Sequence, residues 1–127
     1  MVFIEIDELG WAVIVMAHTD NQSNIWALLQ RRAWANGDSE AYVGADSGRR
    51  KSFAQLNQRA NQLANALLED GIQPGQRVAL LLLNGSAFIQ EFFALARIGA
   101  VFVPLNWRLT MGELAFLCDD SGACRLI

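Results

Sequence analysis

The stretch GQRVALLLLNGSAFIQEFFALARIGAVFVPLN, residues 75–106, decides the fold. Residues 78–83 form an unbroken apolar run of strand length. Asn84 and Gly85 turn the chain, and Ser86 is placed to cap a helix. Over residues 87–98, Phe88, Phe92 and Leu95 recur at helical spacing, with Ile89, Phe93 and Ala96 beside them. Gly99 stands where a helix C-terminal glycine belongs. Residues 100–103 make a second apolar run, stopped by Pro104. Strand, helix, strand with short connections is a βαβ unit. Strands without polar alternation fit a parallel sheet covered on both faces. The predicted fold class is α/β: a doubly wound, mostly parallel sheet with flanking helices.

Upstream of this unit, Ser52 and Gln55 have capping-box spacing and open a helix. Leu56, Ala60, Leu63, Ala64 and Leu67 share one face of it. Asn57, Gln58, Asn61, Gln62 and Asn65 share the other, which reads as solvated. Gly71 closes the helix, and Pro74-Gly75 delivers the chain into the first strand. Further back, Asn24 caps a helix with Ile25, Leu28, Leu29 and Arg32 on one face and Trp26 and Ala33 beside it. Residues 36–38 end that helix. Residues 40–43 and 49–52 form a hairpin around the turn at 44–48. The first twenty residues differ in character. Val2, Ile4 and Ile6 alternate with Phe3, Glu5 and Asp7, Gly10 is a turn, and residues 11–16 are apolar, so a β-hairpin is expected. Residues 18–23 read as a polar linker, and Met16 is a second plausible start.

Downstream, Thr110 and Glu113 form another capping-box pair. Leu114, Ala115, Leu117 and Cys118 follow at helical spacing, and Ser121-Gly122 ends that helix. Residues 124–127 begin a further strand, so the sequence reads as if cut within a sheet. The expected organisation is an N-terminal extension over 1–23 and a truncated α/β portion over 24–127.

The chain has 127 residues, 53% hydrophobic and 18% charged, with a mean hydropathy of +0.20. That is apolar for one domain, and it predicts a doubly covered sheet or a surface buried against something else. A net charge of -3 and a pI near 5.0 argue against a general nucleic-acid binder. Arg49-Arg50-Lys51 is the only basic run and reads as solvated. No apolar run reaches the ~20 residues of a membrane helix. No basic leader precedes an apolar stretch, so a cytoplasmic protein is expected. Cys118 and Cys124 lie in apolar segments with no histidine nearby in sequence, which predicts buried free thiols rather than a zinc site.

Candidate chemistry is sparse. Asn84-Gly85-Ser86 would lie where a strand ends and a helix begins, a place that suits an anion. It lacks dinucleotide-site glycine spacing and a P-loop lysine, so a plain strand-to-helix turn is the simpler reading. The acid pairs Glu69-Asp70 and Asp119-Asp120 stand at helix C-termini and read as solvated. His18, the single histidine, falls in the polar linker. No serine sits in a Gly-x-Ser-x-Gly elbow. Trp26, Trp34 and Trp107 read as core or interface residues rather than a base-stacking platform. On spacing and composition, no catalytic, cofactor-binding or metal-ligating residue is assigned.

Three stretches nevertheless resemble the N-terminal portion of the adenylate-forming (AMP-binding) superfamily. Residues 51–57, KSFAQLN, are similar to its first signature, Thr/Ser-Tyr/Phe-x-Glu/Gln-Leu at the start of a long helix. Residues 95–106, LARIGAVFVPLN, look like its second, Leu-x-x-Gly-Ala-x-x-x-Pro-Leu-Asn. Between them, PGQRVA over 74–79 is similar to a Pro-Gly-Asp/Glu-Arg-Val-Ala approach to a strand, with Gln76 in place of the acid. Residues 107–110, WRLT, with Glu113-Leu114, also fit. The likeness runs from Asn24 to Ile127, and Asn84-Gly85 departs from the usual Pro-Asn.

The resemblance implies the N-terminal portion of an AMP-forming acyl-CoA synthetase. In that chemistry a carboxylic acid and ATP give an acyl-adenylate, which coenzyme A then converts to a thioester. It also implies that the phosphate-gripping loop, the acids that hold Mg²⁺ and the mobile lysine lie downstream of the matched portion. The expected partners are the rest of the adenylate-forming domain and, in the parent, a carboxylic acid. No bound cofactor and no nucleic acid are expected for this portion, whereas self-association is. The competing reading is a non-catalytic α/β module that pairs through its incomplete sheet edge. A free-standing flavodoxin-like domain is weaker, because no phosphate loop is visible.

Overall fold

The computed structural model describes residues 2–6 and 12–16 as backbone, and 24–44 and 48–127 with their side chains. In chain order the elements are β1 (Val2–Ile6), β2 (Ala12–Met16), α1 (Ile25–Asn36), β3 (Glu40–Val43), β4 (Arg50–Ser52) and α2 (Phe53–Glu69). Then come β5 (Arg77–Leu80), α3 (Ser86–Ile98), β6 (Val101–Pro104), α4 (Met111–Ser121) and β7 (Arg125–Leu126). One sheet runs in the order β1-β2-β6-β5-β7, and β3 pairs with β4 apart from it. β5 lies parallel to both β6 and β7, while β2 joins β6 antiparallel. The α/β class and the parallel core match the sequence reading.

β5 shows why its strands read as continuous apolar runs. Alternate side chains point to opposite faces of a sheet. Val78 and Leu80 pack with Leu95, Ile98 and Phe102 under α2 and α3. Ala79 packs with Val103, Leu105 and Leu114 under α4. Both faces are therefore covered. Phe102 anchors the first face, with Phe88 and Phe92 meeting it edge-on at 5.1 and 5.3 Å between centroids. α1 lies outside α2 and α3, where Trp26 and Leu29 meet Leu56, Ala60 and Ala96.

The helix ends follow the sequence signals. Both capping boxes form, Ser52 with Gln55 and Thr110 with Glu113. The Asn24 side chain accepts from the Ala27 N–H at 2.9 Å. α3 ends on Gly99 at φ 72, with the Gly99 and Ala100 N–H groups bonded back to Ala96 and Leu95. A side chain there would be strained, which is why the α3–β6 joint carries glycine.

Several expectations are corrected. β5 stops at Leu80 rather than Leu83. The last bond it receives from the β6 side is Leu105 N–H to Leu80 O, because the neighbouring chain leaves the sheet after Leu105 into the Asn106 turn; beyond it the Leu81 N–H bonds to the Ile127 carbonyl. Ser86 is the first helical residue and not the cap; Gly85 is the cap, with no side-chain bond. Leu28 is exposed, since Trp26, Ala27 and Leu29 turn the buried face of α1 away from it. Of the three tryptophans read as core or interface residues, Trp26 is core, and Trp34 and Trp107 are exposed, which leaves them the interface alternative. Asn57 and Asn61 on α2 are half-buried, because α3 lies close beside that edge of the helix. Cys118 is half-buried and Cys124 exposed, both free, because the chain has left α4 before Cys124 and β7 is an edge strand.

The expected N-terminal strands are present as β1 and β2, antiparallel from Val2↔Met16 to Ile6↔Ala12. The turn at Gly10, the linker with His18, and residues 45–47 of the β3–β4 turn lie outside the described residues.

Candidate functional site

β5 and β6 are neighbours in the sheet, but the chain leaves them in opposite directions. From β5 it crosses to α3 on one face, and from β6 it crosses to α4 on the other. Loops that part in this way open a crevice at the carboxyl ends of the strands, where α/β sheets bind ligands. A cleft of about 360 Å³ lies there. Leu82, Phe88, Pro104 and Leu105 give it an apolar floor and wall, and Asn84, Asn106, Trp107 and Arg108 give it a polar rim.

Local backbone chemistry sets the rim. The Asn106 side chain accepts from the Arg108 N–H at 3.0 Å, and the Asn106 carbonyl accepts from the Leu109 N–H at 3.1 Å. This turn presents Trp107 and Arg108 outward, just ahead of the Thr110 cap of α4. The Arg108 guanidinium sits 4.9 Å from the centre of the Trp107 ring. Stacked in this way, it keeps its planar fork for a carboxylate or phosphate. Among the described residues no carboxylate forms an ion pair with it.

Of the residues singled out from sequence, Asn84 lines this cleft and Ser86 does not. Asn84 and Asn106 come together from the ends of the two adjacent strands. Arg108 was read only as part of a family-like stretch, and Trp107 as part of it and as a core or interface residue. The signal that could have found them is their place just past the end of the second strand of a βαβ unit. The acid pairs stay apart from the cleft. Asp119 and Asp120 are exposed at the end of α4, and Asp70 pairs with Arg125 at 2.6 Å. Among the described residues, no group of three or more His, Cys, Asp and Glu side chains could hold a metal ion. No described helix is long and apolar enough to cross a membrane.

A second depression of about 350 Å³ runs between α2 and α3, lined by Lys51, Gln55, Gln58, Arg59, Gln62 and Gln90. Gln90 donates to the Tyr42 hydroxyl at 3.0 Å, tying α3 to the β3–β4 hairpin. Next to Gln90, burial raises the Glu91 carboxyl above its ordinary value, and the nearby Arg59 charge offsets part of that rise.

The two signature stretches have structural work in this fold. Ser52 and Gln55 cap α2, and residues 95–106 carry the chain from α3 through Gly99 into β6. Comparison with known proteins agrees. The AMP-binding enzyme profile matches residues 29–127. The long-chain-fatty-acid–CoA ligase FadD13 of Mycobacterium tuberculosis is 41% identical over 100 residues, covering 79% of this chain and 20% of the ligase. A feruloyl-CoA synthase of Amycolatopsis is 47% identical over 76 residues, covering 60% of this chain and 16% of the synthase. The crystal structure of the N-terminal domain of FACL13 from Mycobacterium tuberculosis superposes with a TM-score of 0.79 at 39% identity, covering 82% of this chain and 26% of that one. The chain thus spans about a fifth of the length of the curated relatives it matches. With the profile covering most of the sequence and the fold shared, this chain belongs to the AMP-binding enzyme family.

Proposed function

We propose that the chain forms the N-terminal part of an AMP-forming acyl-CoA synthetase. In the reaction a carboxylate oxygen attacks the α-phosphorus of ATP and pyrophosphate leaves. The sulfur of coenzyme A then attacks the acyl carbonyl and AMP leaves. The observation that carries this reading is the continuous family match over 29–127, whose second signature stretch supplies Pro104, Leu105 and Asn106 to the cleft.

Within this portion we assign no catalytic residue. Its part is to supply the parallel core and one wall of a ligand crevice. Arg108 meets an anionic group there, with Trp107 and the apolar floor beneath it. The cleft lining holds no carboxylate and so does not suit Mg²⁺. The relatives named above act on a long-chain fatty acid and on ferulate, so the acid class is left as carboxylic acid in general. Residues 1–23 are an N-terminal extension, and the protein works in the cytoplasm.

The test is acid-dependent AMP release by the full-length gene product with ATP and coenzyme A, run over long-chain and aryl acids. AMP and thioester formed in equal amounts with at least one acid is the expected result. ATP hydrolysis without thioester, or no AMP with any acid, would overturn the reading. Arg108→Ala should raise KM for a phosphate-bearing substrate by about tenfold, the order of one lost charge-assisted contact, and change kcat less.

A further inference from the structure

β6 has two edges with different hydrogen-bonding demands. The Val101 N–H bonds to the Gln76 carbonyl and the Leu105 N–H to the Leu80 carbonyl, so the odd-numbered residues face β5. Backbone groups alternate sides along a strand. Phe102 therefore turns its N–H and C=O to the other side. Pro104 has no N–H, and the Ala100 N–H is already taken by the Leu95 carbonyl. The free edge of β6 thus offers a single donor, that of Phe102. Phe102 is also the residue registered with Ile14 of β2.

We infer that β1 and β2 are an edge cover for β6, docked through the Phe102–Ile14 pair. An apolar strand with an open edge invites pairing with other chains. β2 answers that edge antiparallel, and β1 then lies outermost. This segment falls outside the family match, which begins at residue 29. A shift by one residue would set Phe102 opposite a residue whose backbone groups point away.

Hydrogen exchange in the protein as encoded tests this, compared with Ile14→Pro and with a product starting at Met16. Ile14→Pro removes the N–H that meets the Phe102 carbonyl. In both variants the Phe102 amide should exchange roughly tenfold faster or more, while Val101 and Val103 keep their protection. Unchanged exchange at Phe102 in both would overturn the proposal. Equal loss of protection at Val101, Phe102 and Val103 would overturn it too, since the segment would then stabilise the whole sheet rather than cover one edge.

Discussion

The two faces of the central sheet are equally apolar in sequence and unequally buried in the fold. Under α2 and α3, Val78, Leu80 and Leu95 are fully buried, and Phe102 is enclosed by two aromatic rings. Under α4 the covered cluster is small: Ala79, Val103, Leu105 and Leu114. Leu81, Leu109 and Leu117 pack against it half-buried, while Met111 at 81% and Phe116 at 59% exposure point outward. One face is a finished core, and the other is a thin layer whose outer surface is itself hydrophobic. An apolar residue count cannot separate these cases. What separates them is whether a second helix stands behind the first, as α1 and α2 do beside α3.

The largest expected contrast follows directly. Leu95→Ala should lower unfolding stability by about 2–5 kcal/mol, the range for emptying a close-packed site. Phe116→Ala should change it by less than about 0.5 kcal/mol and should improve solubility. Urea midpoints of the two variants measure this, and equal losses would erase the distinction between the faces.

Capping gives a smaller and more even effect. Ser52→Ala on the finished side and Thr110→Ala on the thin side should each cost about 1 kcal/mol by thermal unfolding. A much smaller loss for Thr110→Ala would mean that α4 frays independently of the core.

Two carboxyls sharpen the comparison through pH. The Thr110 N–H, and then its hydroxyl, holds the Glu113 carboxyl below its ordinary value. Its folded pKa is depressed, so its contribution is present above the unfolded value and is lost as pH falls through the folded one. Thr110→Ala should move the Glu113 titration upward, as followed by side-chain NMR. Glu91 is the opposite case, raised by burial, with one oxygen buried and unbonded. Its folded pKa lies above the unfolded one, so ionisation costs stability as pH rises through that window. Glu91→Gln should therefore stabilise the protein at pH 7 relative to its effect at pH 4. A loss at pH 7 would mean that the attraction to Arg59 outweighs the desolvation.

Much of this fold was legible in the sequence. Helix starts were marked by Asn24, Ser52–Gln55 and Thr110–Glu113, and the α3 end by Gly99, because caps act locally. The βαβ order followed from apolar runs of strand length. The end of β5 was not legible, because the residues 81–83 are as apolar as those before them. What stops the ladder is the neighbouring strand turning away after Leu105 into the Asn106 turn, a long-range cause. The buried face of α1 was misread at Leu28 because Ile25, Leu28, Leu29 and Trp26 fit two overlapping stripes. Of the candidate site, Asn84 was legible at the strand end. Trp107 and Arg108 were not, since their meeting with it depends on the α3 and α4 crossovers taking opposite faces.

The measurement that bears most directly on the central claim is carboxylate-dependent ATP–pyrophosphate exchange, run side by side on these 127 residues and on the full-length gene product. The predicted result is exchange by the full-length product and none by the 127 residues alone, to which the proposal gives the parallel core and one cleft wall. Exchange by the 127 residues alone, or none by the full-length product with any acid, would contradict it.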